Sequence, residues 1–329
     1  MYQHLMVPLD GSALAGQALP YATSLLQHSQ AKLTLLQVVE LPPVLQGSLD
    51  SEAIIKSAET YLQQVKVFIT APRLARPIQA ERVQIKVAFG NPKYEVGAQA
   101  SAIKADLIVM TTHGRSGLAQ LIMGSVAASV IQHTNIPVLS IRPSTGNGRL
   151  PLSESLAIPF DFRLERDQGG LLVTLDGTPE SEVVLEPAIS LALPIGIPLH
   201  LLRVVPPLVS FSYSDIAARY GKVIGEELDR QIREAVQYLD QLQERISTKG
   251  LACSRTIQIG DVTAEILGFA KKTHPALLAM ATRGRGRIGQ ILLGSVAEGV
   301  ARHCRLPVLL VHIPTHVALQ SGARSNVTA

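Results

Sequence analysis

Apolar and polar positions along this chain switch between a strand period and a helix period, and the whole series is carried through twice. Leu5 to Leu9 is a short apolar run ended by Asp10-Gly11-Ser12, which reads as a buried strand and a turn. From Ala13 the apolar residues Leu14, Ala18, Leu19, Ala22 and Leu25 recur at helical spacing, with Ser12 placed to cap that helix. Lys32 to Val39 is a second strand, and Pro42-Pro43 and Gly47-Ser48 mark a loop before a helix from Ser51 to Ile69. Val83 to Ala88 predicts a third strand, broken by Gly90-Asn91-Pro92, and Tyr94 to Lys104 a helix. Ala105 to Met110 is a fourth strand, Ser125 to His133 a helix, and Pro137 to Ile141 a fifth strand. Strands alternating with helices predict a five-stranded, doubly wound parallel sheet of the α/β class.

From Gly170 the series restarts. Leu171 to Thr178 matches Leu5 to Ser12, Leu199 to Val205 matches Leu33 to Val39, and Glu226 to Arg245 reads as a long helix. A constant offset of 170 residues relates Gly90 to Gly260, Gly114 to Gly284, Gly124 to Gly294 and Pro137 to Pro307. The offset is 166 between Asp10 and Asp176, so the middle of one copy is slightly longer. Two tandem copies of one domain follow, over residues 1–143 and 170–314. Residues 144–169 join them and include an extra apolar run, Leu156 to Phe162, that reads as a strand without a counterpart. Residues 315–329 form a polar tail without periodicity.

Composition narrows the function classes. Hydrophobic residues make up 47% and charged residues 17%, enough to build two cores. The net charge of +4, an aromatic content of 4% and the lack of tryptophan argue against a nucleic-acid platform. No apolar run approaches the ~18 residues of a membrane span, and the N-terminus lacks a basic leader. Cys253 and Cys304 form no CxxC spacing, so a reduced, cytoplasmic protein is expected.

The chemistry centres on the stretch after each fourth strand: Thr111-Thr112-His113-Gly114 to Gly124-Ser125, and Ala281-Thr282-Arg283-Gly284 to Gly294-Ser295. A buried strand empties into a glycine-bearing loop, and Gly-Ser opens a helix, which presents backbone N–H groups to an anion. In a doubly wound sheet, Asp10-Gly11-Ser12 would face this loop across the switch point if strands one and four are neighbours. Blander readings exist for each part. Gly-Ser is often a simple cap, and Ser295 to Glu298 fits a capping box. Asp10 could serve only as an Asx-turn residue. Arg283, Arg285 and Arg287 could be a solvated face or reach a phosphate. Gly284 to Gly289 fits GxGxxG, but copy one breaks it and no acidic residue follows at the needed distance.

Together Pro8-Leu9-Asp10, Leu35-Leu36-Gln37-Val38 and the doubled loop resemble the universal stress protein family, in its ATP-binding branch. The family pattern is Gly, two residues, Gly, nine residues, then Gly-Ser or Gly-Thr. Both copies keep the nine-residue spacing, and both replace the first glycine, by Thr111 and Ala281, where a Cβ crowds a closely approaching nucleotide. The resemblance implies the adenine nucleotide alpha hydrolase-like, Rossmann-like fold. It places Asp10 and Val38 at the base and ribose, and Met110 and Thr111 beside the sugar. His113, Gly114, Gly124, Ser125, Val126 and Ala127 would meet the phosphates. In copy two it points to Asp176, Val204, Met280, Ala281, Arg283, Gly284, Gly294, Ser295, Val296 and Ala297. It further implies ATP, with or without Mg2+, or a related adenine nucleotide as the ligand in one or both copies, and a stress-response sensor or regulator as the role. It also implies an intramolecular pseudo-dimer meeting at the fifth strands, with room for a homodimer. The rival expectations are an interaction or oligomerisation module that binds no nucleotide, and a slow ATPase. The swap of His113 for Arg283 argues against a dedicated enzyme, because a permanent cation cannot act as a general base.

Overall fold

A computed structural model describes residues 1–41, 49–71, 76–112, 123–143, 169–207, 214–282 and 294–313, with backbone alone for 49–50 and 214–221. The linker expected to hold an extra strand and the polar tail fall almost entirely outside these residues. The first copy runs β1 (His4–Leu9), α1 (Ala13–Gly16), α2 (Leu19–Gln27), β2 (Lys32–Val39), α3 (Leu49–Ile69), β3 (Val83–Phe89), α4 (Pro92–Ala102), β4 (Leu107–Thr111), α5 (Ser125–His133) and β5 (Val138–Ile141). The second runs β6 (Leu171–Leu175), α6 (Leu185–Ile195), β7 (Leu199–Val205), α7 (Ser214–Ser247), β8 (Cys253–Ile259), α8 (Val262–Thr273), β9 (Leu277–Thr282), α9 (Ser295–His303) and β10 (Val308–His312).

Within each copy every strand pairing is parallel. The order is β3-β2-β1-β4-β5-β10-β9-β6-β7-β8, a single ten-stranded sheet. The two halves join through β5 and β10, which pair antiparallel with Leu309 opposite Leu139. Successive side chains on a strand point to opposite faces, and the core divides accordingly. Leu5, Val7, Leu33 and Leu35 belong to the cluster under α2 and α3, while Met6 and Leu36 belong to the cluster under α4 and α5. Both clusters run through both copies. The central strands β4 and β6 are buried at every position, as parallel strands covered on both faces must be.

Two local expectations are corrected. The helix after Asp10-Gly11-Ser12 is not continuous: α1 stops at Gly16 and α2 starts at Leu19, with Pro20 in its first turn. A proline there removes an N–H that a continuous helix would have used. The long helix of copy two begins at Ser214, well before Glu226.

The end of α2 is held by a distant side chain. The Arg82 guanidinium donates to the carbonyl oxygens of Leu26 at 3.0 Å, Ser29 at 2.8 Å and Ala31 at 2.7 Å. These carbonyls lie at the helix terminus and its turn, where intrahelical donors run out. Arg82→Ala is expected to lower unfolding free energy by ~1.5–3 kcal/mol, the range for charge-assisted hydrogen bonds. Urea denaturation with an unchanged slope but the wild-type midpoint would refute that assignment.

Candidate nucleotide-binding crevice

The strand order reverses between β1 and β4, which pair directly, so their carboxyl ends bound a switch-point crevice. Asp10-Gly11-Ser12 leaves β1 as a tight turn. The Ser12 N–H donates to Asp10 Oδ1 at 2.9 Å, and the Ser12 hydroxyl accepts from the Ala15 N–H at 3.1 Å, capping α1. The turn requires Gly11, whose φ is +82°. The Asx reading of Asp10 is therefore what the local geometry shows, and the same residue also faces the crevice.

On the other side, β4 ends at Thr111. The Thr112 N–H donates to Ile141 O at 2.8 Å, and the Gly124 N–H donates to Thr112 O at 2.6 Å. The two ends of the loop are thus pinned together beside β5. Gly124 is the N-cap of α5 and Ser125 its first residue, with no side-chain cap bond. The same holds at Gly294 and α9, so the capping box suggested by Ser295 and Glu298 is not formed. The serine sits one place too far into the helix to cap it. Among the described residues no side chain caps the first-turn N–H groups of α5, which carry the positive end of the helix dipole.

Between these walls lies a cavity of about 1020 Å³, at the upper end of the ~300–1,000 Å³ typical of small-molecule sites. Asp10, Val38, Met110, Thr111, Gly124, Ser125, Val126 and Ala127 all line it. The structure thus brings together every described residue picked out in copy one. His113 and Gly114, with Arg283 and Gly284 of copy two, lie outside the described residues. Residues that the sequence reading missed complete the wall: Ala53, Ile54, Ser57, Ala58 and Tyr61 from α3, and Gln37 from β2. The Gln37 Oε1 atom is buried and, among the described residues, has no hydrogen-bond partner. An acceptor in that state is costly unless a ligand or water meets it. Among the described residues no group of three or more His, Cys, Asp or Glu is placed to hold a metal.

Copy two repeats the backbone and changes the filling. Asp176 Oδ1 accepts from the Thr178 N–H at 2.9 Å and from the Thr178 hydroxyl at 2.6 Å, the counterpart of the Asp10 turn. Gly177 has a φ of +90°. Val204 and Met280 are buried, Ala281 is half-buried, and Val296 and Ala297 lie in the first turn of α9 after Gly294 and Ser295. Over the turn, however, lies Arg203. A Cβ built on Gly177 would sit 2.5 Å from its Cζ. The same guanidinium lies 5.4 Å from the centre of the Tyr238 ring, within cation–π range. Burial first, then the Glu182 charge and more weakly Asp176, raise the pKa of the Tyr238 phenol.

The sequence profile of the Universal stress protein family matches residues 1–142 and 170–312. A universal stress protein of Methanocaldococcus jannaschii is 31% identical over 148 residues, 43% of this chain and 83% of that one. One of Bacillus subtilis is 30% identical over 153 residues, 43% of this chain and 100% of that one. Among solved structures, a universal stress protein from Archaeoglobus fulgidus shares the fold at 20% identity. Its TM-score is 0.65, over 94% of this chain and 98% of that one. With the profile matched over both halves, the chain belongs to the universal stress protein family.

Proposed function

We propose that the first copy binds ATP or a related adenine nucleotide in the crevice between β1 and β4, and that the chain acts as a nucleotide-responsive regulator in the stress response. The observation that carries this reading is the cavity itself. It offers an apolar wall from Val38, Ile54 and Ala58, the Asp10 turn, and the start of α5, which no side chain among the described residues caps. A flat base suits the first, ribose hydroxyls the second, and a polyphosphate the third. Mg2+, where present, would travel with the phosphates, since the described lining offers it no ready-made site. The two copies would work as an intramolecular pseudo-dimer joined at β5 and β10.

Binding, not turnover, is the proposed output. The described lining holds no histidine, cysteine or lysine, and Asp10 spends one oxygen on its own turn. The test is calorimetry of the purified chain with ATP and Mg2+, together with analysis of nucleotide released on denaturation. Expected are saturable heat and a thermal shift equivalent to ~2.7 kcal/mol at 100 times Kd. A folded protein with neither bound nucleotide nor titratable heat would overturn the reading, and rapid ATP hydrolysis would overturn the binding-only part.

A further inference from the structure

The two copies differ at one register position with a large consequence. Gln37 stands opposite Leu9 in the pairing of β1 with β2, and Arg203 stands opposite Leu175 in the pairing of β6 with β7. The two residues are structural equivalents. So are Gly11 and Gly177, which follow the aspartate in each turn, and so are Tyr61 and Tyr238. Each tyrosine precedes a buried leucine, Leu62 or Leu239, on the helix covering the same sheet face. In copy one Gly11, Gln37 and Tyr61 line the open cavity. In copy two their counterparts touch one another through Arg203. Its guanidinium lies on the Gly177 backbone and over the Tyr238 ring.

The longer, cationic side chain therefore stands in the volume that is cavity in copy one. The turn itself calls for glycine, since residue 177 has a φ of +90°, and a Cβ there would also displace the guanidinium, whose atoms lie 2.5 to 2.7 Å from its ideal position. A guanidinium within cation–π range of a ring and packed beside a glycine turn is held from two sides. A ligand entering copy two would have to expel it and lose both contacts.

We propose that the residue at position 37 or 203 decides whether a copy takes a nucleotide. Gln37 leaves the first crevice open, and Arg203 closes the second from within, so the chain binds one nucleotide. This rests on the nucleotide reading of the first crevice. The position is specificity-determining for occupancy, and the arginine serves as an internal plug.

The test is calorimetry with ATP and Mg2+ on four full-length proteins, each checked for wild-type thermal unfolding. The wild type is expected to bind one nucleotide per chain. Gln37→Arg, which copies the second half into the first, is expected to bind none. Arg203→Gln, which supplies the residue that the first half already accommodates, is expected to bind two. The double exchange is expected to return to one. Two nucleotides on the wild type, or one on Arg203→Gln, would overturn the proposal while leaving nucleotide binding in place. No binding by any of the four would remove the functional reading and this inference with it.

Discussion

Ser125→Asp is expected to weaken ATP binding by ten- to a hundredfold while leaving the fold at least as stable as the wild type. The residue is exposed, lines the crevice and opens α5. A carboxylate there faces the positive end of the helix and should stabilise it by ~0.3–1 kcal/mol. The same carboxylate stands where phosphates are proposed to approach. Two unit charges 4 Å apart repel by ~4 kcal/mol at an effective dielectric of ~20. Summed over the several charges of a triphosphate and reduced by solvent screening, the penalty is about 1.5–3 kcal/mol, which gives the stated loss at about 1.4 kcal/mol per tenfold. The opposite signs make the variant informative, because an ordinary folding defect lowers both quantities. Calorimetry alongside urea denaturation reads the two effects separately, and an ATP affinity equal to wild type would remove the phosphates from the start of α5.

The second large effect concerns the seam. Leu139 and Leu309 face each other across the antiparallel pairing of β5 and β10, and both are fully buried. Leu139→Ala and Leu309→Ala are each expected to cost ~2–5 kcal/mol through lost burial and a residual cavity. The double variant is expected to cost less than the sum, since the two cavities merge. The cluster containing both leucines draws on both copies, so either substitution should shift the unfolding of the whole chain. Denaturation followed by far-ultraviolet dichroism checks this. If Leu309→Ala moved only one step of a two-step curve, the halves would be folding as separate units.

Strands were the most legible elements, because continuous burial leaves a continuous apolar run. Lys32–Val39, Leu171–Leu175 and Leu199–Val205 follow the sequence pattern closely. Helix starts were less so. The break between α1 and α2 depends on where Pro20 falls relative to a turn, and periodicity alone does not report that. The capping box at Ser295 fails through a one-residue shift of the cap to Gly294. In the crevice, the motif residues of copy one were legible because β1 and β4 bring them together in the way their spacing suggested. The α3 wall was not, since Ile54, Ala58 and Tyr61 read equally well as ordinary core positions of an amphipathic helix. Arg203 stands in the sequence as a charge inside the apolar run from Leu199 to Val205. Its meaning appears only when the register sets it opposite Leu175 and beside the Gly177 turn.

The reversal of direction between β5 and β10 has a spatial outcome. Every strand of the first half points its carboxyl end one way along the sheet, and every strand of the second half points the other way. The open crevice and the arginine-filled one accordingly occupy opposite poles of the protein. A chain whose halves look interchangeable in sequence is therefore a two-ended object with unlike ends. A partner resting on the lip of the open pole stands across the full length of the strands from the sealed one.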